Sequence, residues 1–327
     1  MSAAIAKQPR NLPLLATPEI CSSKIYIVTG ANSGLGLEAA RHLVNAGAAK
    51  VILAVRNAEA GNKAAKDIEL STGTSGVTEV WLLDLSSFDS VKAFAHKAAT
   101  ELGRIDAVIQ NAGVAMSERV LAEGHNMTVT VNVLSTILLG LLLLPKLKDV
   151  AQRYKFAPRL TFVSSIAGFD VQALWETIRD SPVSKMDSED MNQMPIYSLS
   201  KLTLTMAVRH LATLIPVDHA GVVINLVCPG LCKTEIIRNA PAEVQKGVAS
   251  QITQFGRTAE DGSRTLLHAA LAGRETHGSF LQSCLDGEDI PDWVTGGEGR
   301  NWQEHTWDII CEELDSIKPG CVQEVLQ

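Results

Sequence analysis

Tyr197 and Lys201 stand four residues apart in "PIYSLSK", residues 195–201, a spacing that stacks a phenol and an ammonium on one side of a helix. That pairing has a chemical use. Hydride reduction of a carbonyl leaves an alkoxide, which needs a proton donor within hydrogen-bond reach as charge develops. A phenol with its ordinary pKa of about 10 is a poor match to neutral pH, and a neighbouring ammonium lowers that pKa by stabilising phenolate. The same spacing is also an ordinary helix face. With 3 tyrosines among 327 residues, a Tyr followed by Lys at this distance arises by chance about one time in seven. The pair acquires meaning only from the elements around it.

The first of these elements is "IVTGANSGLG" at residues 27–36. Gly30, Gly34 and Gly36 permit left-handed backbone and remove side chains where a diphosphate approaches, while the helix that follows offers free N–H groups to its charge. A tight strand-to-helix turn also uses glycines. Here strand, turn, helix and second strand arrive in order, so the loop Gly30, Asn32, Ser33, Gly34, Leu35 and Gly36 reads as a dinucleotide site. The second strand ends in Arg56, with no Asp or Glu from Val51 to Ala58. An arginine there suits the 2′-phosphate of NADP(H), where an acid would select NAD; a solvated strand-end arginine is the plainer alternative.

Six near-continuous apolar runs read as strands buried on both faces: 24–30, 50–56, 77–84, 106–113, 159–165 and 221–230, with a seventh near "GSFLQ". Helical segments such as 35–47 and 89–103 lie between them and end in glycine. The alternation predicts an α/β fold: a single-domain, doubly wound Rossmann fold of about seven mostly parallel strands with helices on both faces. The expected layout is an N-terminal arm over 1–23, a catalytic domain over 24–281 and a C-terminal helical extension over 282–327. The polar stretch 169–195 interrupts the alternation and is expected to be a substrate lid.

In order along the chain, "TGANSGLG", "DL" (84 and 85), "NAG" (111 to 113), "VSSIAG" (163 to 168), "YSLSK" and "CPGLCKT" (228 to 234) resemble the signatures of the short-chain dehydrogenase/reductase family. The joint occurrence removes the chance objection to Tyr197 and Lys201. The resemblance implies that Asp84 meets the adenine edge, that Asn111, Ala112 and Gly113 flank the adenine ribose, that Thr234 holds the nicotinamide carboxamide, and that Leu85, Pro229 and Gly230 also bind the cofactor. It further implies a catalytic set of Ser165, Tyr197, Lys201 and Asn132: Ser165 donating to the substrate oxygen, Tyr197 giving the proton, Lys201 also holding the nicotinamide ribose, and Asn132 completing a relay through water. The chain reads "QNAG" and "SSK" where "NNAG" and "SGK" are commonest, and 169–195 separates Ser165 from Tyr197. In that insertion it resembles the retinol-dehydrogenase-like branch and, more closely, fungal reductases of secondary-metabolite pathways.

The expected activity is NADPH-dependent reduction of a ketone or aldehyde on a bulky, fairly apolar metabolite. Oxidation of an alcohol with NADP+, a non-reductive reaction on the same fold, and a non-catalytic NADPH-binding regulator are the alternatives. A net charge of −7, from 36 acidic and 29 basic residues without blocks of one sign, argues against nucleic acid or an anionic membrane surface as partner. The 6 cysteines are scattered without metal-ligand spacing, so they read as reduced, and no metal is implied. The apolar run 137–147 falls short of the roughly 20 residues of a membrane span and reads as core or subunit contact. The N-terminal residues lack a secretory pattern but leave a mitochondrial presequence open; a cytoplasmic location is expected. Residues 132–147 and 197–215 resemble the helices through which the family dimerises, which implies a homodimer or homotetramer.

Overall fold

The apolar runs become strands because their alternate side chains all find cover. The strands are β1 (Ile25–Thr29), β2 (Lys50–Val55), β3 (Thr78–Leu82), β4 (Ala107–Gln110), β5 (Arg159–Val163), β6 (Val223–Cys228) and β7 (Phe280–Gln282). Every residue of β4 and β6 is buried, whereas edge strand β3 is only partly covered and leaves Leu82 61% exposed. The computed structural model describes residues 3–285, 287 and 289–326. Met1, Ser2, Asp286, Glu288 and Gln327, which fall in the expected arm and extension, lie outside the described residues.

All seven strands pair in parallel, in the order β3-β2-β1-β4-β5-β6-β7. One face is covered by α1 (Gly34–Asn45), α2 (Ala58–Thr72) and, from further along the chain, Ala259–Leu271. The other carries α3 (Phe88–Glu101), α4 (Met127–Tyr154) and α5 (Ile196–Leu214). The fold is the doubly wound Rossmann arrangement, and the chain is completed by α6 (Ala242–Phe255), α7 (Ala259–Leu271) and α8 (Gly297–Ile317).

Three local expectations change. Helix α4 does not stop with its apolar run: it continues through Pro145 for 28 residues, its most apolar 18-residue window has a mean hydropathy of 2.2, and it is long and apolar enough to cross a membrane. Burial, not length, decides its role, because 89% of its apolar window lies inside the protein. The faces of α4 and α5 expected to meet a second subunit are covered by this chain's own extension. Trp307, Ile310 and Leu314 of α8 share one apolar core with Leu202, Met206 and Leu211 of α5, α8 packs on α5, and Lys148 of α4 donates to the Val325 carbonyl at 2.6 Å. Both helices therefore have a cover within this chain.

The third concerns 169–195, expected to be a lid. It forms two short helices, Gln172–Ile178 and Pro182–Asp187, whose Trp175, Val183 and Met186 are 0–1% exposed within the core beneath α8. Asp187 fastens it: its carboxylate accepts the Asn126 N–H at 2.7 Å and meets His125 Nδ1 at 2.7 Å. A polar stretch became a buttress because its few large apolar residues lie at helical spacing and have the extension to bury against.

Gln110, the departure in "QNAG", is 2% exposed, and both polar atoms of its carboxamide lack a hydrogen-bond partner. An unsatisfied buried amide costs about 1–3 kcal/mol. The near-isosteric Gln110→Met is therefore expected to raise stability by about 1 kcal/mol, read as a higher urea midpoint at unchanged slope; an unchanged or lower midpoint would show that the amide is satisfied in solution.

Candidate active site

The order of the sheet reverses between β1 and β4, which opens a crevice beyond their carboxyl ends. A cavity of about 600 Å³ fills it. Gly30 and Gly34 sit at φ 66° and 57°, the left-handed region, so the glycine loop needs glycine there. The Ser33 side chain leaves the start of α1 uncapped, and the first-turn N–H groups are available to an anion. Gly30, Asn32, Ser33, Gly34 and Leu35 line the cavity. Gly36 is not among the lining residues. A Cβ there would lie 2.6 Å from Asn111 Nδ2 and 2.7 Å from the Gly30 carbonyl, so its smallness lets α1 sit on the loop.

The adenine end is assembled from β2, β3 and β4. Arg56 and Asp84 line the cavity, as do Leu85, Asn111, Ala112 and Gly113. Arg56 is exposed, and the adjoining Asn57 caps α2 by accepting the Ala60 N–H at 2.9 Å. Asp84 Oδ1 accepts from Ser86 N–H and Oγ, at 2.9 and 2.7 Å, which fixes the carboxylate. Asn111 Nδ2 donates to the Thr29 carbonyl at 2.9 Å, and the Ala112 N–H donates to Thr29 Oγ1 at the same distance. Those two bonds tie the ends of β4 and β1 together at the switch point.

At the other end of the cavity stand Ser165, Tyr197 and Lys201. Ser165 lies just past β5, where its Oγ accepts the Ala167 N–H at 3.2 Å. Tyr197 is half-buried in the first turn of α5, and Lys201, 4% exposed, donates to the Val163 carbonyl at 2.8 Å. Lys201 Nζ stands 6.0 Å from the centre of the Tyr197 ring.

The electrostatics differ from expectation. Burial pushes the Tyr197 hydroxyl up to about 12, and the Ser165 side chain only partly opposes it. Burial also pulls the Lys201 ammonium down to about 8. The net shift of the tyrosine is upward despite the neighbouring ammonium, because desolvation penalises both charged forms at once. The phenol consequently keeps its proton at neutral pH.

Asn132 stands beside Lys201: a Cβ at Gly113 would lie 3.1 Å from its Oδ1 and 3.6 Å from Lys201 Nζ. It is fully buried in a π-helical turn, Thr130–Leu134, and is not among the lining residues. Its Oδ1 accepts the Val114 N–H at 2.9 Å, while Nδ2 donates to the Val114 carbonyl at 2.8 Å and to Ser200 Oγ at 3.0 Å. The side chain thus fixes the loop after β4 against α5. Thr234 does face the glycine loop: a Cβ on Gly34 would lie 3.6 Å from Thr234 Cγ2.

Several working residues carry no local signal. Cys228 Sγ accepts from both Ile166 and Gly230 N–H at 3.4 Å, joining the segment that bears Ser165 to the Pro229-Gly230 turn. Ser164 Oγ donates to the Lys201 carbonyl at 3.0 Å. Of 169–195, Asp170 alone lines the cavity; its outer wall comes from Ile236, Ile237, Val248 and Ile252, with Ile5 of the arm.

The family model described as short chain dehydrogenase matches residues 24–177. The short chain dehydrogenase/reductase dmxR8 of Cryptosporiopsis sp. is 40% identical over 91% of this chain and 93% of its own length. The chain belongs to the short-chain dehydrogenase/reductase family. A second fungal member, the short chain dehydrogenase atnD of Emericella nidulans, is 41% identical over 80% of this chain and 84% of its own. Solved structures share the fold of this dehydrogenase/reductase: the NADPH-bound carbonyl reductase of chicken fatty liver, with a TM-score of 0.59 and 22% identity over 80% of this chain and 97% of that one, and the NADP complex of RhlG from Pseudomonas aeruginosa, with 0.60 and 24% over 81% and 96%.

The lysine permits a test without substrate. A folded-state pKa of about 8, below the ordinary 10.5, means that the unfolded chain binds more protons over that interval. The buried ammonium costs stability below pH 8, and the cost fades as pH rises toward 10.5. Urea midpoints of the cofactor-free protein should favour Lys201→Met over wild type at pH 7, with the gap closing toward pH 10; a gap constant with pH would contradict the placement.

Proposed function

We propose that this protein is an NADPH-dependent reductase of a ketone or aldehyde carried on a bulky, fairly apolar metabolite. The observation that carries this reading is one cavity that joins a glycine loop and Arg56 to Ser165, Tyr197 and Lys201. Val114, Ile166, Ile236, Ile237, Val248 and Ile252 give the lining a large apolar share, with Glu235 and Arg238 among them. A lining of this kind favours a substrate that buries hydrophobic surface.

The residues present fit the cofactor. Left-handed glycines leave the loop free of side chains, uncapped α1 faces the cavity, and a Cβ at Gly113 would crowd Asn132 Oδ1 at 3.1 Å and Lys201 Nζ at 3.6 Å. Arg56 at the end of β2 would pair with a 2′-phosphate, Asp84 would meet the adenine and Thr234 the carboxamide. When bound, NADPH supplies the hydride. Ser165 Oγ donates to the substrate carbonyl oxygen, and Tyr197 Oη passes its proton to that oxygen as negative charge develops there. The phenolate left behind is favoured by the Lys201 ammonium, which keeps N–H groups beyond the one given to Val163. The fungal relatives and the resemblance to fungal secondary-metabolite reductases support a substrate from such a pathway.

NADPH consumption across a panel of lipophilic ketones and aldehydes tests the reaction class, with the product expected to gain two hydrogens by mass. A product of unchanged mass, or one lighter by water, would overturn it in favour of isomerisation or dehydration. Arg56→Ala is expected to weaken NADPH binding by about tenfold and leave NADH within about twofold; equal use of NADH and NADPH by the unaltered protein would contradict the cofactor choice.

A further inference from the structure

The N-terminal arm is fastened to the catalytic end of the cavity. Gln8 Oε1 accepts the Leu231 N–H at 2.9 Å, and Gln8 Nε2 donates to the carbonyls of Leu231 at 3.0 Å and Phe255 at 2.7 Å. One side chain thereby satisfies both backbone groups of Leu231 and also binds the last carbonyl of α6, the helix that gives Val248 and Ile252 to the cavity wall. Arg257, 2% exposed, reinforces the junction by donating to the carbonyls of Pro9 and Pro229 at 2.9 and 2.7 Å and to Ser283 Oγ at 2.8 Å. Gly230, at φ 77°, fits between the two: a Cβ there would lie 2.4 Å from Gln8 Oε1 and 2.8 Å from Arg257 Nη1. The Asp261 carboxylate holds the next turn of the arm, accepting from Asn11 and Leu12 N–H at 3.1 and 2.7 Å.

The turn so held is part of the site. Pro229, Gly230, Leu231 and Thr234 line the cavity, and Cys228 joins that turn to Ile166, beside Ser165. The adenine end draws its residues from β1 to β4 and α1, and Gln8 makes no hydrogen bond to these among the described residues. We infer that Gln8 is a positioning residue that sets the Pro229–Thr234 turn for the nicotinamide half of the cofactor, so that the arm is a wall of the active site. The arm's first turn brings Ile5 to the same cavity.

This role rests on the NADPH reading above, and the test separates the two. Calorimetric titrations with NADPH and with 2′,5′-ADP, which lacks nicotinamide, are run on the full-length protein, Gln8→Ala and Gln8→Glu. Gln8→Ala, which removes all three hydrogen bonds, is expected to weaken NADPH by about tenfold and to leave 2′,5′-ADP within about twofold. Gln8→Glu retains the acceptor and loses both donors, so it should show the same split, and it serves if the alanine variant does not fold. General destabilisation would not separate the two ligands. Equal weakening of both ligands, or no weakening of either, overturns the role of Gln8; an unaltered protein that binds neither ligand overturns the NADPH reading and this one with it.

Discussion

A cation kept in the core organises this site. Lys201 is 4% exposed with one N–H given to the Val163 carbonyl, and an incompletely compensated buried charge costs several kcal/mol. The surroundings hold it in place. Ser164 bonds the Lys201 carbonyl, Asn132 bonds Ser200, and Gly168 approaches α5 so closely that a Cβ would lie 2.9 Å from the Leu202 nitrogen. On the far side, α8 seals α5 with Trp307, Ile310 and Leu314. The extension thus holds the catalytic helix against the sheet, on a face that the sequence assigns to a partner subunit.

The two ends of the cavity are built differently. The end expected to take the adenine hangs on adjacent strands whose ends are tied by Asn111 and Thr29. The catalytic end depends on contacts between parts of the chain far apart: the arm, the turn after β6 and α6. Its pKa shifts reflect enclosure, since burial raises Tyr197 and lowers Lys201 together.

What was legible in the sequence was local. The glycine loop, Arg56 and the Tyr197–Lys201 pair are set by spacings within one turn or one strand-helix unit, and seven apolar runs fix the sheet. Long-range consequences were not legible. The polarity of 169–195 hides Trp175, Val183 and Met186, whose burial depends on α8 more than a hundred residues away. The apolar face of α5 looks the same whether a second subunit or the chain's own extension covers it. Gln8 has no pattern around it, since its partners lie 223 and 247 residues further on. The direction of the Tyr197 shift needed the depth of the pocket, which spacing does not encode.

The central claim is that one proton passes from Tyr197 Oη to the nascent alkoxide. Single-turnover reduction by Tyr197→Phe preloaded with NADPH tests it most directly. Removing a general acid costs about 10²–10⁴ in rate, so the account predicts a loss of that size in the reduction step with NADPH affinity unchanged; reduction at the wild-type rate would contradict it.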